Sequence, residues 1–229
     1  MSMGAEAVVE EPRSVGRPRD PDVDRRVLAA ASEIYGESGW DGVSIQACAR
    51  RAGVGRASVY LRWNSRDELL LEALSASMAR LDIPDSGELR TDLIELARRT
   101  FAILCSADGP ALLRLYLENG RTDTPIAELQ TVITDHANAG LVDVVERGVQ
   151  RGELPSGIPR RYVVDAVVGA VTNHVLGTPL HLRGELPEQH SDDYLEGLVD
   201  LVLRGARTWT APKASSTSAR RHRGVVRKT

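Results

Sequence analysis

An all-α architecture is what this sequence predicts, and three features carry that expectation. Apolar residues recur at spacings of three and four along most of the 229-residue chain, the periodicity of helices packed by one face. The alternation of β-branched and polar residues that marks strands is missing. Glycine and proline fall between the periodic stretches and divide them at helical lengths. The pattern predicts three short helices followed by six longer ones, about nine in all.

Each element has its own justification. Residues 1–20 are polar and contain a GRPR segment at Gly16–Arg19, which reads as a flexible arm. The first helix is expected over about 22–38, with Val27, Leu28, Ala31, Ile34 and Tyr35 on one face. Pro21 stands at its start and Gly39 just past its end, the usual asymmetry of helix termini. Ser44 is a good N-cap for a second helix running to about Arg51 and stopped by Gly53. A third begins near Arg56 or Ala57 and is expected to end around Trp63. Ser65-Arg66-Asp67-Glu68 reads as a capping box opening a longer helix with Leu69, Leu70, Ala73, Leu74, Met78 and Leu81 inside. Pro84 and Gly87 close it. Five further helices are expected over about 88–105, 109–119, 124–151, 159–178 and 191–209. The serine- and arginine-rich stretch from 211 to 229 reads as a disordered basic tail.

Composition excludes several classes. The chain is 42% apolar and 27% charged with a net charge of −3, ordinary values for a globular protein. No apolar run reaches the length of a membrane span; Val163–Val171 comes nearest but carries Asp165. No secretory leader is evident at the acidic N-terminus. Two distant cysteines, Cys48 and Cys105, suit a reduced, cytosolic compartment. Charge is unevenly distributed. Gly42–Arg66 holds five arginines and no acid, whereas Ala76–Thr210 has 13 arginines against 20 acids, and the tail has six bases and no acid. A cationic patch on an otherwise acidic chain points to a polyanion, with a solvated face as the plain alternative.

The two short helices joined by Ala52-Gly53-Val54-Gly55 have the size of a helix-turn-helix, which lays its second helix in the DNA major groove. Ile45, Ala49, Val54 and Val59 would hold the pair together. Gly55, Arg56, Ala57, Ser58, Tyr60, Leu61 and Arg62 would face outward. Residues 27–74, with ESGWDGVS, the AxRAGV turn, SVYLRW and NSRDELL in order, resemble the DNA-binding domain of the tetracycline-repressor (TetR) family of bacterial transcriptional regulators. Beyond them, only length, punctuation and RGELP at Arg151–Pro155 match.

The resemblance implies a helix-turn-helix domain over 21–66 and a helical effector-binding and dimerisation domain over 67–210. It implies a ligand-responsive repressor that binds a palindromic double-stranded DNA operator as a homodimer in the cytoplasm, associated with the nucleoid when bound, and no cofactor. Ser44 would donate to a phosphate at a helix N-terminus. Arg56, Tyr60 and Arg66 would grip the backbone, while Gly55, Ala57, Ser58 and Arg62 would face bases, Ala57 meeting a thymine methyl and Arg62 a guanine edge. Gly55 departs from a serine common in the family, which puts one contact in doubt. Trp63 is expected to pack against the first helix. Arm residues Arg17 and Arg19 would enter the minor groove, and the tail would be either a solvated end or an extra phosphate clamp.

Elsewhere, Phe101, Leu104, Leu112, Leu115 and Tyr116, with Ile133, His136 and Leu176, are candidate lining for an unidentified small-molecule effector, although core packing explains each equally well. Small residues Ala166, Gly169, Ala170 and Asn173 on one helix, and Leu195, Leu198 and Val202 on the next, are candidate dimer contacts; packing within their own chain is the alternative. His136 and His174 lack a ligand at metal-binding spacing and read as core or interface histidines. Cys48 and Cys105 read as small core residues. No HExxH, Walker or GxSxG motif supports an enzyme. A helical protein-binding adaptor or activator without an effector is the competing reading.

Overall fold

Helix α1, Pro21–Ser38, carries Asp22 and Asp24 in its first turn, where acids complement the positive end of the helix dipole. Its chain leaves through Gly39, whose φ of 69° lies in the left-handed region and whose N–H returns to the Tyr35 carbonyl at 2.8 Å. A single 3-10 turn at Trp40–Gly42 follows, which periodicity could not foresee. Helix α2, Ile45–Ala52, is capped by the Ser44 hydroxyl, which accepts from the Ala47 N–H at 3.1 Å. It ends at Gly53, also left-handed at φ 66°.

The described residues are 21–118, 127–178 and 188–211 of this computed structural model, and among them it is all-α with nine α-helices and no strand. After α2 come α3, Arg56–Tyr60, and α4, Arg66–Ala79. The remaining five are α5, Leu89–Cys105; α6, Gly109–Glu118; α7, Ala127–Gln150; α8, Arg160–Gly177; and α9, Glu188–Arg207. Helix α3 stops short of Trp63 because its last turn tightens, Arg62 N–H reaching the Val59 carbonyl at 2.9 Å. The same tightening ends α4 at Ala79 rather than Leu81, with Leu81 N–H on the Met78 carbonyl at 2.9 Å. The Ser65 hydroxyl caps α4 through the Glu68 N–H, but the Glu68 carboxylate accepts from Asn64 N–H at 2.8 Å, so the reciprocal half of the box lands one residue early.

One core joins α1 through α4, with Val27, Tyr35, Val43, Val59, Trp63 and Leu70 buried in it, and takes in Ala111 and Leu115 of α6 and Ile133 of α7. A second core fills the space between α5, α7, α8 and α9. Helix α6 lies very close to α1. A methyl group at Gly36 would come within 2.9 Å of the Ala111 backbone nitrogen, so only glycine permits this crossing. The Tyr35 hydroxyl donates to Glu118 at 2.9 Å across the same contact. Helix α9 is clamped on α5 by Arg90 with Asp200 at 2.7 Å, by Arg98 with Asp192 at 2.9 Å, and by Glu196 between them.

Arginine partners hold several carboxylates below their ordinary range: Glu37 through Arg51, Glu146 through Arg160, and Asp200 through Arg90. A carboxylate whose folded pKa is depressed stabilises the fold above its unfolded value and loses that contribution as pH falls through the folded one. The melting temperature should therefore hold between about pH 7 and pH 5 and fall between about pH 4.5 and pH 3. A melting temperature flat to pH 3 would show that these pairs contribute nothing.

Candidate nucleic-acid interface and effector cavity

The α2–α3 unit stands on the apolar side of both helices. Ile45, Cys48, Ala49 and Ala52 are buried beneath α2, and Val59 beneath α3. Burial pushes the Cys48 thiol above its ordinary pKa. Val54 packs partly buried between the two helices. What remains outside is the expected edge. Gly55, Arg56 and Ala57 are exposed, Ser58 is half-buried, Tyr60 is 48% exposed and Leu61 79%. The Arg56 guanidinium lies 5.7 Å from the Tyr60 ring centroid, over its face. Arg66 stacks over Trp40 at 4.3 Å. Ser44 is exposed, and its oxygen is taken as an acceptor by Ala47 N–H, which leaves the hydroxyl proton directed elsewhere. Trp63 is buried, 2% exposed, with its indole N–H donating to Glu72 at 2.6 Å; it is a packing residue, as expected.

The cationic window is more neutral in space than in sequence. Arg51 pairs with Glu37 at 2.8 Å and Glu33 at 3.2 Å, both from α1. Arg62 does not project outward as a base reader would: its side chain is 13% exposed, bound to Asp24 of α1 and, at 2.8 Å, to the Ser58 carbonyl. The reason is the turn after α3, which folds residue 62 back toward α1. Arg50 and Arg56 keep exposed guanidinium groups with no carboxylate partner among the described residues. Arg17, Arg19 and the basic tail lie outside the described residues.

A cavity of about 590 Å3 opens between α4, α5, α6, α7 and α8. Leu104, Leu112, Leu115, Tyr116 and Leu176 line it, as expected from the sequence. Phe101 does not. It turns toward His174, their rings 6.4 Å apart, because Thr100, Ile103 and Leu104 occupy the cavity-facing side of α5. Ile133 also does not; it is buried in the core of α1–α4. The side chain of His136 is outside the described residues. Sequence reading missed the polar wall, Asn138, Arg161, Asp165 and Thr172, where Arg161 donates to Asp165 at 2.6 Å and to Asn138 at 2.9 Å. Their spacing on two helices gives no signal until the helices are packed. The buried Thr100 hydroxyl on the cavity wall has no hydrogen-bond partner among the described residues.

Of the candidate dimer residues, Ala166, Gly169 and Asn173 are exposed and Ala170 is half-buried. Gly169 and Asn173 also line the cavity. Leu195 does not face outward as the helical spacing suggests: it is 2% exposed and packed into its own α5–α8–α9 core, which takes it out of reach of a partner. Leu198 and Val202 pack partly against that core as well, because the Arg90 and Arg98 clamps turn α9 toward α5. The outer face of α9 is instead Gly197, Leu201 and Gly205. His174 stacks on Tyr194 at 4.0 Å between ring centroids, and Cys105 is exposed rather than core. Among the described residues there is no group of three potential metal ligands and no helix long and apolar enough to cross a membrane.

Comparison with known proteins matches these two regions separately. Residues 27–73 match the family model of bacterial regulatory proteins of the tetR family, and residues 83–202 match the tetracyclin repressor-like C-terminal domain. The chain is 31% identical over 182 residues to the HTH-type transcriptional regulator AqdR of Rhodococcus erythropolis, covering 79% of this chain and 83% of that one. It is 30% identical over 187 residues to the DNA-binding transcriptional repressor TetR of Mycobacteroides abscessus, covering 77% and 90%. Among solved structures, the fatty acid degradation regulator FadR from Bacillus halodurans shares the fold, with a TM-score of 0.58 at 18% identity over 80% of this chain and 99% of that one. A capped helix-turn-helix with an exposed second helix, a helical body around a cavity, and both family models in register lead to one conclusion: the chain belongs to the TetR family and is a DNA-binding transcriptional regulator, not an enzyme.

Proposed function

We propose that the chain is a ligand-responsive repressor that binds a palindromic operator as a homodimer and releases it when a small molecule fills the cavity. In this reading residues 21–66 bind DNA, and 67–210 sense the effector and pair the two copies. Ser44, Arg56, Tyr60 and Arg66 grip phosphates, and Gly55, Ala57 and Ser58 meet bases. Arg17 and Arg19 extend the contact into the minor groove. The protein works in the cytoplasm, where its DNA is.

The observation that carries the ligand response is the position of α6. On one side its Leu112, Leu115 and Tyr116 line the cavity; on the other it crosses α1 at Gly36 and is tied to it through Tyr35 and Glu118. An occupant that moves α6 moves the base of the α2–α3 unit. Helix α4 is the second connection, with Met78 on the cavity and Leu69 and Leu70 in the DNA-side core. A coupling of about 1–3 kcal/mol between cavity and operator suffices for a switch. The apolar walls and the Asn138–Arg161–Asp165 polar wall favour a largely apolar effector with hydrogen-bonding groups at one end. Pairing draws support from Ala166, Gly169 and Asn173 exposed on α8 and from Gly197 and Leu201 exposed on α9, since one helix-turn-helix reads too little sequence to select a genomic site.

Selection of binding sites from fragmented genomic DNA by the purified protein tests this, followed by a screen for compounds that release the selected duplex. Recovery of a palindrome and its release by a ligand that raises the melting temperature is expected. A non-palindromic site bound by a single copy would refute the dimer, and tight binding indifferent to every cavity ligand would refute the switch.

A further inference from the structure

We propose that Arg62 is a positioning residue that fixes the pose of α3 on α1 with Asp24 as its anchor, leaving base reading to Gly55, Ala57 and Ser58 on the outer edge. This rests on the reading that the α2–α3 unit is the DNA-contacting surface.

Helix α3 has only five residues, Arg56–Tyr60, too short to hold its shape without outside support. Val59 and Trp63 anchor its apolar side in the core. Apolar contacts set its depth but fix its roll poorly, because they are not directional. Arg62 supplies the direction. Its Nε donates to the Asp24 carboxylate on α1, and its Nη1 donates at 2.8 Å to the Ser58 carbonyl in the last turn of α3. One rigid planar group therefore joins the end of α3 to the first turn of α1, and it also satisfies a carbonyl at the negative end of that helix. The arginine side chain is 13% exposed and the aspartate 35%, so salt screens this pair less than it screens the outer pairs.

A guanine-reading arginine presents two donors side by side to the base edge. Two of the Arg62 donors are already engaged, and withdrawing them would leave Asp24 as an uncompensated anion beside a phosphate-lined duplex. Arg56 stands in contrast: it is exposed, has no carboxylate partner among the described residues, and reaches out over Tyr60.

The sign of the effect of Asp24→Ala on DNA affinity separates the two roles. Affinity for the selected operator and base preference in a randomised operator library would be measured for the full-length wild type, Asp24→Ala, Arg62→Ala and the double variant. Asp22→Ala, at the other first-turn acid of α1, serves as control. The expected result is a loss of about tenfold or more for Asp24→Ala and for Arg62→Ala, no further loss in the double variant, and an unchanged base preference at every position. Asp22→Ala should bind as the wild type does. Tighter binding by Asp24→Ala would mean that the aspartate merely competes for a DNA-reading arginine, and would overturn the proposal. So would an Arg62→Ala variant that relaxes preference at one position per half-site while Asp24→Ala is neutral. Should Arg62→Ala fail to fold, the direction of the Asp24→Ala effect still decides. Wild-type protein that binds no duplex would instead overturn the DNA-contacting role of α2–α3 itself.

Discussion

Truncating Trp63 to alanine is expected to cost about 3–5 kcal/mol of stability, the range for removing a large aromatic from a well-packed core. The ring is 2% exposed and sits among α1, α3 and α4, and its N–H donates to Glu72 at 2.6 Å. Against a typical total of about 5–15 kcal/mol, that is a large share. For a chain of this size the melting temperature should fall by about 10 °C or more. The loss should be felt first at α3, because Trp63 directly follows the turn that ends that helix. Trp63→Phe keeps most of the buried area and forfeits the hydrogen bond, so a loss of about 1–2 kcal/mol is expected. Denaturant melts of the two variants check both values; equal losses would show that the hydrogen bond, not the packing, holds this corner together.

Tyr60→Ala should behave in the opposite way, with operator affinity falling about a hundredfold and stability little changed. Tyr60 is half exposed on the outer face of α3 and supports the Arg56 guanidinium from below. Its removal takes away a hydroxyl for a phosphate and the platform that directs a cation, together about 2–3 kcal/mol of binding. Exposed positions of this kind shift stability by only about 0.5 kcal/mol. Tyr60→Phe retains the platform and loses the hydroxyl, so its affinity should fall between the two. Electrophoretic shift with a labelled operator, run beside thermal melts, measures both quantities. Undiminished affinity in Tyr60→Ala would remove α3 from the interface.

Local chemistry made much of this fold legible before any coordinates. The Ser44 and Ser65 caps and the left-handed Gly53 are each decided by residues a few positions apart, and α2 and the start of α4 fall where those signals place them. What escaped depended on contacts between distant segments. Arg51 and Arg62 count as free cations in a window without acids, yet their partners Glu33, Glu37 and Asp24 stand on α1 and reach them only after packing. Phe101 and Leu195 were reasonable for a cavity and a partner face on helical spacing alone. The direction each takes is set by which neighbouring helix arrives beside it, and for Leu195 by the Arg90 and Arg98 clamps that turn α9 inward. The polar wall of the cavity likewise assembles from α7 and α8 together.

The position of α6 changes where coupling is to be sought. Helix α4, which follows the short-helix trio, joins the cavity and the DNA-side core through Met78 at the one and Leu69 and Leu70 in the other. In the structure, α6 touches the cavity and α1 at once, with a glycine at the crossing that allows no added methyl without displacement.

A pair of exposed α3 edges is expected to dock in successive major grooves and to owe much of its affinity to phosphate contacts. Footprinting of the wild-type protein on its selected operator across a range of salt concentrations tests it most directly. Two protected patches centred about 10 base pairs or a multiple of that apart, with affinity falling steeply as salt rises, are the predicted result. A single patch, or protection that salt leaves unchanged, would contradict it.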